Sequence, residues 1–141
     1  MKRRDALKAI VAAGVAVSSV SAYDEKLITN KNDITPKDPQ NLTEFEAKHL
    51  PDIMVKDADA KGFTLVEVTV GQKEIIHPSE AKHWIYEIEL FADDKLISKA
   101  SLEPEISRGF LSARVNLKDV KTLKAIARCN LHGNFTHTIT L

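Results

Sequence analysis

From Gly62 to the C-terminus the chain alternates apolar and polar side chains with a period of two. Val66, Val68 and Val70 are separated by Glu67 and Thr69, and Leu123, Ala125, Ala127 and Cys129 stand in register with Lys124 and Arg128 between them. Trp84, Tyr86, Ile88 and Leu90 alternate with Ile85, Glu87 and Glu89, and Phe135, His137, Ile139 and Leu141 alternate with Thr136, Thr138 and Thr140. Successive side chains of a strand point to opposite faces, so this pattern describes half-buried strands. Shorter strand candidates span residues 96–102 and 110–117. Gly71, Asp93-Asp94, Pro104, Gly109 and Gly133 punctuate the runs. No long amphipathic helical pattern competes, apart from a turn near residues 119–123. An all-β fold follows, an antiparallel β-sandwich of short strands. With 141 residues there is room for one domain and a real core.

Before this domain the character changes twice. Residues 23–43 are polar, carry Pro36 and Pro39, and read as an extended arm ahead of a domain at 44–141. Residues 1–22 open on Lys2-Arg3-Arg4, continue through an Ala/Val/Gly-rich run and end on Val20-Ser21-Ala22. A basic start, a short apolar stretch and small residues at a cleavage point describe an export leader. The apolar run from Ala9 to Ala22 is shorter than the about 20 residues a bilayer span needs. Arg3-Arg4 followed by Leu7-Lys8 resembles a twin-arginine signal, with Lys2 and Ala6 where that pattern has a hydroxyl residue and an aromatic. A general secretory signal is the alternative. The expected destination is the periplasm. The 20 basic and 20 acidic side chains balance, and no basic stripe points to nucleic acid.

The chemistry-bearing residues are concentrated. Of five histidines and one cysteine, four histidines and the cysteine fall in three clusters: Lys48-His49-Leu50-Pro51, His77-Pro78 with His83, and Cys129-Asn130-Leu131-His132-Gly133. One cysteine forms no disulfide within the chain, and an exposed thiol outside the cytoplasm is open to oxidation. Ligation to a metal gives it a role; a buried inert thiol is the alternative. Four imidazoles and a thiolate exceed the four donors of a closed zinc site and suit iron, which accepts nitrogen and sulfur together. On a continuous strand His77 and His83 would lie roughly 20 Å apart, so they meet only if the chain folds back between them, where Pro78, Ser79 and Glu80 supply turn chemistry. Cys129 ends an alternating strand, and Gly133 permits the turn after His132. His137, aligned with Phe135 and Ile139, reads as a packed strand residue.

In combination these residues resemble the superoxide reductases, the desulfoferrodoxin and neelaredoxin family. The family pattern runs Glu-Lys-His-x-Pro, then His-Pro with a second histidine six residues after the first, then Cys-Asn-x-His-Gly. This chain has Ala47-Lys48-His49-Leu50-Pro51, His77-Pro78 with His83, and Cys129-Asn130-Leu131-His132-Gly133. The resemblance covers about residues 46–141. It implies a seven-stranded immunoglobulin-like antiparallel β-sandwich with one non-haem iron near its surface. It implies His49, His77, His83 and His132 as planar ligands, Cys129 as axial ligand, and Lys48 as the catalytic residue beside an open position. The implied reaction is one-electron reduction of superoxide to hydrogen peroxide. Superoxide is then the substrate, and a rubredoxin-like or other small electron donor the partner. No nucleic acid and no membrane span after removal of the leader are expected, and a homo-oligomer is left open. The four-cysteine domain of the two-iron members has no counterpart, so the likeness is to the one-iron neelaredoxin group. Ala47 stands where the family often has a glutamate that fills the sixth position; Glu46 would substitute only with a change of loop geometry. A non-enzymatic iron or electron carrier, a zinc or copper site, and a β-sandwich interaction protein are the competing readings.

Overall fold

The computed structural model describes residues 23–141; the expected export leader at 1–22 lies outside the described residues. Eight strands form two sheets: β1 (Asp33–Ile34), β2 (Pro51–Ala58), β3 (Thr64–Val70), β4 (Ile85–Ala92), β5 (Lys95–Ser101), β6 (Phe110–Val115), β7 (Thr122–Cys129) and β8 (Gly133–Thr140). One sheet has the order β1-β8-β7-β4-β5 and the other β2-β3-β6. All pairings are antiparallel except β1 with β8, which is parallel. The all-β sandwich is therefore as expected, with seven full strands and an eighth, two residues long, supplied by the arm.

The core lies between the sheets, where Val66, Val68 and Val70 of β3 face Ile88 and Leu90 of β4 and Leu123, Ala125, Ala127 and Cys129 of β7. Each fully buried large aliphatic contributes about 1.5–3 kcal/mol relative to exposure. In β4 the expected alternation is broken. The pairing with β7 shifts between Ile85 and Glu87, a bulge. An extra residue reverses the facing of everything beyond it. Ile85 therefore joins the core with Ile88 and Leu90, while Trp84 and Tyr86 are buried outside that cluster. They pack beneath Tyr23 of the arm, at ring separations of 5.9 and 5.6 Å.

Two elements have no counterpart in the alternation. β2 buries only Pro51 and Ile53 and then runs exposed. The helix α1 (Glu44–His49) is six residues long and begins with a capping box: the Thr43 hydroxyl accepts the Glu46 N–H, and the Glu46 carboxylate accepts the Thr43 N–H. Thr-x-x-Glu is the sequence signature of that cap.

The β4–β5 hairpin turns on Asp93 and Asp94, at φ 44° and 66°. Positive φ at both central residues matches the twist of the flanking strands, and aspartate tolerates it. The Asp93 carboxylate accepts the N–H groups of Lys121 and Thr122, at 3.0 and 2.9 Å, so the hairpin tip clips the start of β7. Those bonds hold its carboxyl below the ordinary 3.8. A depressed acid stabilises the fold above its unfolded value, and that stability is lost as pH falls through the folded value. Asp93→Asn is expected to lower the melting temperature at pH 7, with the gap closing below pH about 3.8. A gap constant over that range in thermal melts would exclude the charge as its cause.

Candidate metal centre

Three loops converge at one end of the sandwich. The first is the end of α1, which carries Lys48 and His49. His49 is buried, and its ring Nδ1 donates to the Phe45 carbonyl one turn earlier, at 2.7 Å. A carbonyl can only accept, so Nδ1 holds the proton and the Nε2 lone pair is left facing the other donors. The second loop follows β3. A side chain on Gly71 would run into the carbonyl oxygens of Ala47 and Lys48. Its absence lets this loop lie against the end of α1. His77 is anchored there by its N–H to the Val70 carbonyl, and its Nδ1 donates to the Pro78 carbonyl at 2.8 Å. By the same reasoning its Nε2 is the free donor. The chain then reverses: Glu80 and His83 exchange backbone hydrogen bonds of 2.8 and 3.1 Å, which returns His83 toward His77. Ser79 ties the turn to the β5–β6 connection, donating to the Ser107 carbonyl at 2.7 Å.

The third loop joins β7 to β8. Cys129 is the last inward residue of β7 and is part of the hydrophobic core. Gly133, at φ +95°, turns the chain so closely past the arm that a side chain would meet the Asn32 carbonyl. His132 Nδ1 lies 3.6 Å from Cys129 Sγ and 3.0 Å from His49 Nε2.

The four rings form a four-sided array. His49–His77, His77–His83, His83–His132 and His132–His49 are separated by 4.7, 4.7, 4.9 and 4.8 Å between centroids, each pair meeting edge to face. The diagonal His49–His83 is 6.2 Å. Donor atoms of His49, His83, Cys129 and His132 all lie within 4.8 Å of one another. His77 completes the array beside them. His77 Nε2 and His83 Nε2 are buried and have no hydrogen-bond partner. Buried polar atoms are almost always satisfied, so two bare imidazole nitrogens on neighbouring rings fit a bound metal ion. His49 and Phe135 stack at 4.7 Å, and Phe45 closes the array from outside, 4.4 Å from His49 and 5.1 Å from His132.

Burial holds the histidines neutral. It pushes His49 down to about 4 and His77 down to about 3, and lowers His83 and His132 as well. The Lys48 ammonium adds to the lowering at His49, His83 and His132, which places its charge within reach of three of the rings. Burial likewise pushes the Cys129 thiol up. Neutral imidazoles are ready to ligate, whereas the thiol must release its proton on binding a metal.

Four of the sequence-derived donors, His49, His83, Cys129 and His132, share one group of close donor atoms. The His77 ring packs 4.7 Å from the rings of His49 and His83, and the Lys48 charge acts on three of the four rings. His137 stands apart on β8, opposite Ala125 and half-buried. Glu46 is committed elsewhere: its carboxylate accepts from the N–H groups of Thr43 and Lys37, at 3.0 Å each. Ala47 is buried, its carbonyl accepting the Gln72 N–H at 2.7 Å. No carboxylate belongs to the described donor group. The sequence does not mark Phe45, nor the place of the strand residue Phe135 against the donor rings. Only the capping box ahead of α1, which puts Phe45 one turn before His49, signals the first of them.

Fold and site together define a mononuclear histidine–cysteine metalloprotein built on a β-sandwich. The desulfoferrodoxin family model matches residues 41–138, and the chain belongs to that family. It is 34% identical over 96 residues to a Methanocaldococcus jannaschii protein named "Putative superoxide reductase", covering 64% of this chain and 79% of that one. Among solved structures it is similar to a superoxide reductase (1Fe-SOR) of Giardia intestinalis, at 28% identity and a TM-score of 0.58, over 67% of this chain and 98% of that one. A superoxide reductase (neelaredoxin) of Ignicoccus hospitalis shares 26% identity with a TM-score of 0.51, over 66% of this chain and 79% of that one.

Proposed function

We propose that this chain is a superoxide reductase that converts superoxide to hydrogen peroxide at one non-haem iron, held by His49, His77, His83, His132 and Cys129. The observation that carries this reading is the convergence of three imidazoles and one thiol with the His77 ring packed beside them, two of the imidazole nitrogens buried without partners. Five donors exceed a closed zinc site, and the mixed nitrogen and sulfur set suits iron. When bound, ferrous iron supplies the one electron that, with two protons, turns superoxide into hydrogen peroxide, and an external donor restores it.

The chain's own residues supply the rest. Cys129 would hold the metal as a thiolate and would donate electron density to it, as thiolates do in haem proteins. His49 and His77, tied to carbonyls through Nδ1, keep their rings aimed. His83 and His132 are only partly buried, and the Lys48 charge acts on both rings, so a small anion has an approach from solvent. Lys48 attracts superoxide and orders the water that delivers protons. This open approach favours a substrate site over a pure electron carrier. The test is anaerobic mixing of the ferrous protein with superoxide, with metal analysis of the same sample. Stoichiometric peroxide and loss of the ferrous state are expected; an iron-free protein or unreacted superoxide overturns the reading.

Lys48→Ala is expected to slow superoxide capture about tenfold at low ionic strength, the deficit shrinking as salt is added, with iron content unchanged. Equal capture rates in stopped-flow or pulse experiments would take Lys48 out of this role.

Residues 1–22 are read as an export leader of the twin-arginine type, which places the mature chain in the periplasm. The basic start, the short apolar run and the small residues ahead of Tyr23 support this. No helix among the described residues is long and apolar enough to cross a membrane. A reporter fused to residues 1–22 tests the route: export that persists without the twin-arginine translocase rejects it.

A further inference from the structure

Between the two donors of the third loop sits a residue that makes more hydrogen bonds than either. Asn130 is 1% exposed, and all of its polar groups are engaged. Its amide nitrogen donates to the carbonyls of Lys82 at 2.9 Å and Leu27 at 3.1 Å, and its amide oxygen accepts the Trp84 N–H at 2.9 Å. Its own N–H donates to the Trp84 carbonyl at 3.2 Å, and its carbonyl accepts the Thr29 N–H at 2.9 Å. Lys82 and Trp84 are the two neighbours of His83. One side chain therefore clamps the backbone on both sides of a donor, from a position directly after Cys129 and two before His132.

The His83 ring needs that clamp more than its companions do. His49 and His77 are aimed by their own Nδ1–H bonds to carbonyls. The His83 ring makes no hydrogen bond among the described residues, and its Nε2 is bare. Where its backbone is held determines where it points. The third member of the clamp is the arm. Leu27 and Thr29 bond to Asn130, and Tyr23, a few residues earlier, is wedged against Trp84 and Tyr86.

We propose that Asn130 is a positioning residue of the metal centre: it sets His83 against Cys129 and His132, with the arm at residues 23–29 acting through it as a strap. The proposal rests on the reading of the cluster as an iron site. An aspartate keeps the shape of the side chain, loses both donors and presses a negative charge on two carbonyl oxygens, so Asn130→Asp should release the clamp with little change in volume.

The test uses the iron-loaded full chain and two signals, the thiolate-to-iron absorption band and the rate of iron loss to a chelator. Asn130→Asp is expected to shift the band and to speed iron loss about tenfold, the scale for groups that orient metal ligands. Tyr23→Ala, which touches no donor, is expected to speed iron loss a few-fold. Leu90→Ala, fully buried in β4 at a distance from the donors, serves as the control for lost stability alone. It should lower the melting temperature and leave the band in place. A folded Asn130→Asp protein with the wild-type band and release rate overturns the proposal, as does a Leu90→Ala protein that shifts the band equally. If Asn130→Asp does not fold, Tyr23→Ala decides, and a wild-type release rate there overturns it. A wild-type chain that shows no thiolate band at all refutes the iron site itself, a different failure.

Discussion

Cys129→Ser is expected to erase the thiolate-to-iron absorption band and, with it, turnover of superoxide. The side chain is the chain's only thiol and lies at the inner end of β7, fully buried among apolar residues. Serine is nearly isosteric, so the fold should survive, but its hydroxyl does not ionise at neutral pH and supplies no soft donor. Iron affinity should fall by more than the 10–100-fold that groups orienting metal ligands command. Metal analysis, the visible spectrum and peroxide yield on one preparation check all three. A serine variant that keeps the band would show that its source is not Cys129.

Phe135→Ala is expected to produce the largest loss of stability. Phe135 is fully buried, stacks on His49 at 4.7 Å and meets Phe45 edge-on at 6.1 Å. Truncating a buried phenylalanine costs about 3–5 kcal/mol, a large part of a typical domain's 5–15 kcal/mol. Here the cavity would also open beside a donor ring. Urea unfolding of the metal-free chain should show the loss directly, and the loaded chain should release iron faster. A change under about 1 kcal/mol would mean that the site closes over the gap, contrary to this packing.

Periodicity made β3, β7 and the outer part of β8 legible because alternate residues there are more buried than their neighbours. It failed where burial is set by something other than alternation. β2 turns outward after Ile53, so its apolar Val55 is exposed and its composition does not mark a buried face. In β4 the bulge exchanges the roles of Ile85 and Trp84, and only the partner strand reveals the shift. The helix α1 is too short for a helical period, although its cap is written in Thr43 and Glu46. The arm reads as polar and extended, and nothing local says that it joins a sheet.

The site was legible in a different way. The donor residues could be gathered from three motifs, but which nitrogen of each ring faces inward could not. That depends on carbonyls of Phe45 and Pro78, fixed by backbone path and not by residue type. The fate of Glu46 was similarly hidden, since its competing partners include the N–H of Lys37, nine positions away.

The arm's attachment also bears on when the site can assemble. Leu27 bonds to Asn130 across 103 positions, and β1 pairs with β8, the last strand to be made. A ribosome makes the arm well before its partners on β7 and β8. Contacts so distant in sequence form late and slowly. The donor cluster therefore cannot close before the β7–β8 loop is made: a fragment lacking that loop contains neither Cys129 nor His132, and none can close the strap. Metal arriving during synthesis would find only His49, His77 and His83 on an open chain.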